Sequence, residues 1–325
     1  MYKLNLNNLE IRIAFIIPTY NRHKQLDLTL KQLKIIFEKL HNYDYFSHIK
    51  PYIYISDNAS SDRTNEIIKK YFNKQNTNIL YKKRKENLGP ILNHLFALHE
   101  MKDYEFLSIW GDDDDIEFNF IEEIFYFISR NKKDEVLMQA PILLNKKYNR
   151  FSKEILSWYS SFSIPGLTFN SGLIKYWPNS STLKYPQTLF ITEILLNKID
   201  IKLIPKRSFK SRKITVSTYT RLSERGSLDY CFTERISYFM IFISYERNIK
   251  KANFLKKKAL KIITPEITFM LVDLLNTKRY INAIKSLFFI LDNNCFSFGQ
   301  KFFIINLVLR GFLKKKFFNL FNKKN

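Results

Sequence analysis

Four short β-rich apolar runs alternate with helical stripes in the first 130 residues, and this alternation constrains the fold more than any other feature. The apolar runs cover residues 11–17, 52–56, 78–81 and 105–110. The stripes, in which apolar side chains recur at about helical spacing, cover residues 24–40, 63–73, 91–101 and 117–130. This β-α-β rhythm predicts parallel strands joined by right-handed helical crossovers.

A polar loop follows each of the four predicted strands. These loops cover residues 18–22, 57–62, 87–89 and 112–115. Because the carboxyl ends of parallel strands lie at one edge of a sheet, the four loops should converge there. Ligands of open α/β sheets bind at that edge, so we predict the functional site between these loops.

The fourth loop is strongly acidic: residues 110–115 read Trp-Gly-Asp-Asp-Asp-Asp. Adjacent carboxylates repel one another, and a bound divalent cation reverses that effect. Hard cations such as Mg²⁺ take carboxylate oxygens and leave places for substrate phosphates, so the run predicts a metal–diphosphate site. The alternative is an acidic turn that caps the following helix, where Asp is favoured.

Taken together, the four loops resemble those of family 2 glycosyltransferases. Residues 16–22, Ile-Ile-Pro-Thr-Tyr-Asn-Arg, resemble that family's opening strand and loop, and residues 57–64 are similar to its second nucleotide-binding loop. Residues 87–90 resemble the segment before its third helix, and residues 111–114 its metal-binding acidic motif. The bacterial surface-polysaccharide branch that contains abequosyltransferase-like enzymes looks most similar.

The resemblance implies an α/β fold of the GT-A type, with a Rossmann-like, mostly parallel sheet flanked by helices. It also implies an inverting, metal-dependent hexosyl transfer from a nucleotide sugar to a surface glycan or lipid-linked acceptor. Lipopolysaccharide, lipooligosaccharide or capsule would be the product. Two alternatives are a sugar nucleotidyltransferase, whose Gly-rich signature is missing, and a non-catalytic membrane-associated partner that kept the GT-A fold.

Site residues follow from the same resemblance. A divalent cation, Mn²⁺ or Mg²⁺, would be held by Asp112 and Asp114, with Asp112 also near the ribose. Asp57 would accept a hydrogen bond from the base, although a turn Asp that satisfies its own loop is the alternative. The full predicted donor set is Pro18, Tyr20, Arg22, Asp57, Asn58, Asn87, Gly89, Asp112 and Asp113.

The general base is harder to assign, because the late Glu-Asp pair that is usual in the family is not present here. The acceptor hydroxyl needs a carboxylate to take its proton. Glu193 lies about 80 residues after the acidic loop, a spacing compatible with the family's base, and is the first candidate. Asp229 is the reserve candidate. A surface Glu on a helix is the alternative interpretation of Glu193.

Charge divides the chain. Most of the formal net charge of +23 lies after residue 200. We therefore expect a nucleotide-sugar-binding and catalytic domain at 1–205 and a helical, basic region at 206–325 that meets a different partner. Residues 301–325 interleave Phe, Ile and Leu with lysines, which suits an anionic bilayer surface; a helix docked on its own domain or on a second subunit is the alternative.

The remaining features favour a bacterial enzyme on the inner face of the cytoplasmic membrane. The only two cysteines, Cys231 and Cys295, make no disulfide framework, which fits a reducing cytoplasm. No secretory signal and no stretch of about 18 apolar residues is visible, so peripheral attachment is expected. No nucleic-acid module is recognisable, and a nucleic-acid partner is not expected.

Overall fold

The computed structural model describes residues 10–72, 78–130, 134–139, 152–161, 164–180, 183, 185–204, 209–211, 238–259 and 305–306. The chain divides into two compact units, Met1–Lys213 and Ile214–Asn325. The assignment of functions to 1–205 and 206–325 stays a prediction.

The first unit alternates strands and helices in the predicted way. Its strands are β1 (Ile11–Thr19), β2 (Ile49–Asp57), β3 (Ile79–Lys83), β4 (Phe106–Ile109), β5 (Asp114–Ile116), β6 (Glu135–Gln139), β7 (Leu167–Asn170), β8 (Asp200–Ile204) and β9 (Phe209–Ser211). Its helices are α1 (His23–His41), α2 (Thr64–Phe72), α3 (Gly89–Glu100), α4 (Phe118–Ser129), α5 (Lys153–Ser160) and α6 (Pro186–Leu196). Short 3₁₀ helices cover Asp44–Phe46 and Ser171–Tyr176.

Seven strands form one mostly parallel sheet in the order β3-β2-β1-β4-β7-β6-β8. Strands β1 to β4 pair in parallel, as predicted, and β6 pairs with β8 in parallel. Strand β7 runs antiparallel between β4 and β6, which the sequence did not predict. The carboxyl ends of β1, β2, β3, β4 and β6 therefore lie at one edge of the sheet.

Helices cover both faces of this sheet, which explains why the β1 sequence is apolar without alternation. On one face, Ile13, Phe15 and Ile17 pack against the buried side chains of α1, α2 and α4. On the other face, Ala14 and Ile16 pack with side chains of α3 and α6. A strand buried on both sides fixes the position of the loop that leaves it, and hence of the site at the edge.

Some elements differ from the expectation. The acidic run ends in strand β5, which pairs with β9 in a separate two-stranded sheet. Helix α4 starts at Phe118, after Glu117, so the interpretation of the run as a helix cap is wrong. A strand was expected at 136–144; it covers Glu135–Gln139, and residues 140–144 lie outside the described residues.

The second unit is described at residues 238–259 and 305–306. Residues 238–244 and 249–259 are helical, and the helical character of 206–325 as a whole stays a prediction. In the described residues, no helix combines the length and the apolar character needed to cross a bilayer. The segment 301–325, which was predicted to meet a membrane, lies outside the described residues except for 305 and 306.

Candidate functional site

The first two polar loops are fixed to each other by Asn21. This residue has a left-handed backbone (φ 52°), a conformation that Asn tolerates better than most residues. Its side-chain Oδ1 accepts the backbone N–H groups of Ser61 at 2.8 Å and Asp62 at 3.3 Å, while its own N–H donates to the Ser60 hydroxyl at 2.9 Å. The loops after β1 and β2 therefore form one connected rim.

Asp57, the predicted base-recognition residue, lies at the end of β2 and is fully buried. One carboxylate oxygen accepts the N–H of Ser60 at 2.8 Å, and the other accepts the Tyr81 hydroxyl at 2.8 Å. Burial, together with this carboxylate, raises the pKa of Tyr81 well above its usual value. The Asp57 carboxylate thus satisfies an N–H of its own loop, as expected for an Asp in a turn. A carboxylate has about four acceptor sites, so room for one more donor remains.

The second and third loops meet through two asparagines. Asn58 donates from Nδ2 to Asn87 Oδ1 at 2.7 Å and accepts the N–H of Leu88 at 2.9 Å. Asn87 Oδ1 also accepts the N–H of Gly89 at 2.9 Å, and Gly89 adopts a positive φ of 79° that favours glycine. The structure therefore brings together three of the residues that were predicted to bind the donor.

The acidic loop is tied to the first loop by direct side-chain contacts. Asp112 is buried, and its Oδ2 accepts the Thr19 hydroxyl at 2.7 Å while its Oδ1 accepts Arg22 Nη1 at 2.9 Å. The same Arg22 nitrogen lies 3.1 Å from Asp113 Oδ2. The Thr29 hydroxyl of α1 donates to the Asp112 carbonyl at 2.9 Å. Arg22 of the first loop and Asp112 and Asp113 of the fourth loop, all predicted site residues, thus lie in one cluster.

These contacts set the charge state of the cluster. Burial raises the pKa of Asp112 above its usual value, although the charge of Arg22 and the Thr19 hydrogen bond act in the opposite direction. Burial by itself would lower the pKa of Arg22, but Asp112 and Asp113 outweigh it, so the pKa is raised and the guanidinium stays charged. The positive charge of Arg22 therefore offsets part of the negative charge of Asp112 and Asp113 at this site.

Asp114 faces inward. It is buried, and its Oδ2 accepts the N–H of Gly111 at 2.6 Å. A Cβ added at Gly111 would lie only 2.8 Å from that oxygen, so the tight turn needs glycine. The Asp113 side chain is 19% exposed, against 5% for Asp112. Exposure therefore favours Asp113 over Asp114 as the carboxylate that a ligand reaches.

A hard divalent cation fits the chemistry of this loop, because all of its nearby donors are carboxylate oxygens. Within the described residues there is no group of three or more His, Cys, Asp or Glu side chains that could hold a metal alone. A cation here would take its remaining ligands from water or from the phosphate oxygens of a substrate.

The other predicted residues lie as follows. Tyr20 is 43% exposed at the tip of the first loop, and Pro18 lies within β1. Glu193 is partly buried in α6, and no described contact joins it to the acidic loop. Asp229 lies outside the described residues.

The direction of α6 bears on the base. Helix α6 ends four residues before β8, which starts at the amino edge of the sheet because Asp200 pairs with Glu135. The start of α6 therefore points towards the carboxyl edge. Glu193 lies seven residues after the start of α6, about 10 Å at roughly 1.5 Å per residue. At the start of α6, Gln187 is buried with its Oε1 unpartnered in the described part of the chain.

Sequence reasoning missed several residues that build the site. Thr19, Thr29 and Tyr81 hold the predicted carboxylates or their loop, yet each occupies an ordinary strand or helix position. Position in the sequence could have indicated Thr19 and Tyr81, because they lie near the carboxyl ends of β1 and β3.

Comparisons with known proteins agree with this geometry. A family model described as Glycosyl transferase family 2 matches residues 14–182. Abequosyltransferase RfbV of Salmonella typhimurium is 36% identical over 102 residues, which is 31% of this chain and 28% of that protein. The chain thus spans less than a third of this relative's length.

Two solved structures have a similar fold. TarS 1–349 of S. aureus, in complex with UDP-GlcNAc, superposes with a TM-score of 0.59 at 17% identity, covering 93% of this chain and 89% of that one. The mannosyltransferase PcManGT of Pyrobaculum calidifontis, in complex with GDP-Man and Mn²⁺, gives 0.55 at 14% identity, with 92% and 80% covered. These similarities confirm the predicted GT-A-like α/β fold.

Proposed function

Because this chain belongs to glycosyl transferase family 2, we propose that it transfers a sugar from a nucleotide-sugar donor to a glycan or lipid-linked acceptor. The observation that carries the proposal is the meeting of Thr19, Arg22 and Asp112 at the carboxyl edge of the sheet. In open α/β sheets that edge is where ligands bind. The similar structures were solved with UDP-GlcNAc and with GDP-Man and Mn²⁺, which supports a nucleotide sugar as donor.

Donor binding would use the connected rim of the first three loops. Tyr20 is exposed and can cover the base or the ribose. Asp57 is fully buried and would accept a base N–H only after a local rearrangement of its loop. Asn58 and Asn87 keep the second and third loops in place. These contacts are made between the protein's own groups, so they reduce the ordering free energy that donor binding costs.

Departure of the nucleoside diphosphate creates negative charge that must be stabilised. A divalent cation held by Asp113 would neutralise that charge when bound. The predicted ligands Asp112 and Asp114 lie beside Asp113 and are buried against Thr19, Arg22 and Gly111. Arg22 is the nearby protein cation that can approach the same phosphates. In an inverting displacement, the acceptor hydroxyl attacks the anomeric carbon as its proton moves to a carboxylate. Glu193 and Asp229 are our candidates for that base, and the direction of α6 weighs against Glu193.

The finer part of the proposal concerns acceptor and location: a lipid-linked or surface glycan of the lipopolysaccharide, lipooligosaccharide or capsule type, at the inner membrane face. The partial similarity to an abequosyltransferase supports such an acceptor. The second unit supports the location. Its helices at 238–244 and 249–259 expose Ile241, Ile249 and Phe254, and the turn between them exposes Tyr245. Lys250, Lys251 and Lys256–Lys258 lie in the same stretch of sequence. Exposed apolar groups beside lysines suit an anionic bilayer surface.

The decisive experiment is a transfer assay with the full chain, a panel of UDP-, GDP-, CDP- and dTDP-sugars, Mn²⁺ and a membrane-glycan acceptor extract. We expect release of one nucleoside diphosphate together with labelling of the glycan. Glu193→Gln and Asp229→Asn should then identify the base, because the correct variant keeps donor binding and loses transfer. Absence of turnover with every donor would reject the proposed function and favour the non-catalytic alternative.

Membrane attachment has its own test. The full chain should float with vesicles that contain anionic lipid and not with neutral vesicles. Tyr245→Ser combined with Ile249→Ser should reduce flotation, as should removal of residues 301–325. Equal flotation of all variants would contradict the membrane proposal and leave the transferase proposal untouched.

A further inference from the structure

Arg22 occupies an unusual position, because its guanidinium lies between two carboxylates of the acidic loop. Its Nη1 is 2.9 Å from Asp112 Oδ1 and 3.1 Å from Asp113 Oδ2. The backbone of Arg22 is anchored to the start of α1, where its carbonyl accepts the N–H of Leu26 at 3.0 Å. The side chain therefore bridges from the first loop to the fourth and carries a positive charge into the space between the carboxylates.

We propose that Arg22 is an internal counter-cation, which holds the acidic loop together until a divalent cation binds and takes Asp113 from it. The proposal rests on the proposed function for the identity of the cation and of its phosphate partner. Adjacent carboxylates repel each other, and either a guanidinium or a metal ion can relieve that repulsion. Both use carboxylate oxygens, so they compete for Asp113.

The two contacts of Arg22 are not equivalent. Asp112 is also held by the Thr19 hydroxyl, and the Thr29 hydroxyl holds its carbonyl, so Asp112 is fixed from three sides. Asp113 is the more exposed carboxylate, with 19% of its side chain accessible. The contact with Asp113 is therefore the one that an incoming cation can exchange, while the contact with Asp112 keeps Arg22 at the site.

A released guanidinium lies beside the position where phosphates would complete the shell of the cation. Arg22 would then oppose a cation that binds alone and assist a nucleoside diphosphate that binds with the cation. Loss of Arg22 should therefore change the two affinities in opposite directions. The cation alone should bind more tightly, and the nucleoside diphosphate with the cation should bind more weakly. A residue that merely keeps the loop folded would not give these opposite changes, because its loss would weaken both.

The test compares Arg22→Gln with wild type and with the matched control Arg12→Gln, whose guanidinium pairs with Glu105 at the opposite, amino edge of the sheet. Free Mn²⁺ is measured by electron paramagnetic resonance, without nucleotide and without turnover. Removing one positive charge a few ångströms from a divalent ion should tighten the Mn²⁺ Kd roughly tenfold. UDP or GDP binding in saturating Mn²⁺ should weaken by about tenfold, since a charge-assisted hydrogen bond is lost.

Equal Mn²⁺ affinity of wild type and Arg22→Gln over the same titration range would overturn the proposal. Weaker binding of both Mn²⁺ and nucleotide would also overturn it, because that result describes a purely structural residue.

A measurement on the unaltered chain keeps the test independent of variant folding. The arginine Nε–H resonance of Arg22 should shift on titration with Mg²⁺, while that of Arg12 should not. An Arg22 resonance that does not respond at Mg²⁺ saturation would overturn the proposal. Tighter Mn²⁺ binding by Arg22→Gln without sugar transfer by wild type would reject the proposed function alone.

Discussion

The two sides of the first unit differ in how their buried polar groups are satisfied. Around the loops of β1 to β4, which we call the donor side, buried polar side chains such as Ser56, Asp57, Asn58 and Asp112 have protein partners within 3 Å. On the acceptor side, formed by β6, α5 and α6, five buried polar atoms have no hydrogen bond in the described part of the chain. These atoms are Gln139 Nε2, the hydroxyls of Ser152, Ser157 and Ser160, and Gln187 Oε1.

The two sides therefore differ in whether their buried polar atoms have hydrogen-bond partners in the described part of the chain. A buried polar atom without a partner costs about 1–3 kcal/mol, so an accumulation of them in one region calls for an explanation. The donor side satisfies itself and needs no ligand to hold its shape. The unpartnered atoms of the acceptor side are buried, so a ligand hydroxyl would reach them only after a local rearrangement. The family match at residues 14–182 includes β6, α5 and four of these five atoms, and only Gln187 lies beyond it.

The largest effect should come from Asp113→Asn on the donor side. We expect kcat/KM to fall by about 10²- to 10³-fold, because the leaving diphosphate loses a group that stabilises its charge. The thermal midpoint should change little, since Asp113 is partly exposed. Asp103→Asn, an equal change in the loop before β4 at the opposite edge, is the control for a general charge effect. A variant with full activity would remove Asp113 from the site.

Glu100 tests how strongly the donor side depends on paired charge. Burial alone would raise the pKa of Glu100, but hydrogen bonds from Arg84, Lys82 and Tyr54 outweigh it and lower the pKa to about 2. In the unfolded chain the pKa of a Glu carboxyl is near 4.3. The stabilisation that comes from the lowered pKa of Glu100 is therefore complete above about pH 5 and is lost as the pH falls towards about 2.

Glu100→Gln should therefore lower the free energy of unfolding at neutral pH by about 2–3 kcal/mol and flatten its decline in acid. Urea denaturation at a series of pH values measures both quantities. An unchanged acid slope in the variant would contradict the assigned pKa of Glu100.

A matched pair of serines compares the two sides directly, since Ser56 and Ser157 are both fully buried. The Ser56 hydroxyl donates to Asn93 Oδ1 at 2.7 Å and accepts Arg84 Nη2 at 2.9 Å. Ser56→Ala should cost about 1–3 kcal/mol, because it leaves buried partners unsatisfied. Ser157→Ala removes an unpartnered hydroxyl and should be neutral or stabilising. Equal losses in urea denaturation would remove the distinction between the two sides.

The smallest effect should come from Gln187→Leu on the acceptor side. If Gln187 Oε1 receives an acceptor hydroxyl, the acceptor KM should rise about three- to tenfold, the size of one neutral hydrogen bond. The KM for the donor should not change, and the stability of the chain should stay equal or increase. A rise in the donor KM instead would place Gln187 on the donor side.

Much of the fold could be predicted because burial leaves a local record in the sequence. The β1 sequence is apolar throughout since helices cover both faces of that strand, and α1 shows its stripe because only one face of it is buried. Strand β5 left no such record. Its residues, Asp114–Ile116, are the last two carboxylates of the acidic run and one isoleucine. They pair with a strand almost a hundred residues later. Pairing at that separation depends on the assembled sheet, not on the local pattern.

The chain's own sequence determined the alternation of strands and helices, the family, and the four loops that surround the site. These properties come from periodicity and from short motifs, which act within about ten residues. Only the tertiary structure decided that Asp57 is held by Tyr81, that Asp114 turns inward to Gly111, and that Arg22 lies between two carboxylates. Those outcomes depend on the distance between side chains 3 to 91 residues apart in the sequence, which packing sets and which composition and spacing do not specify.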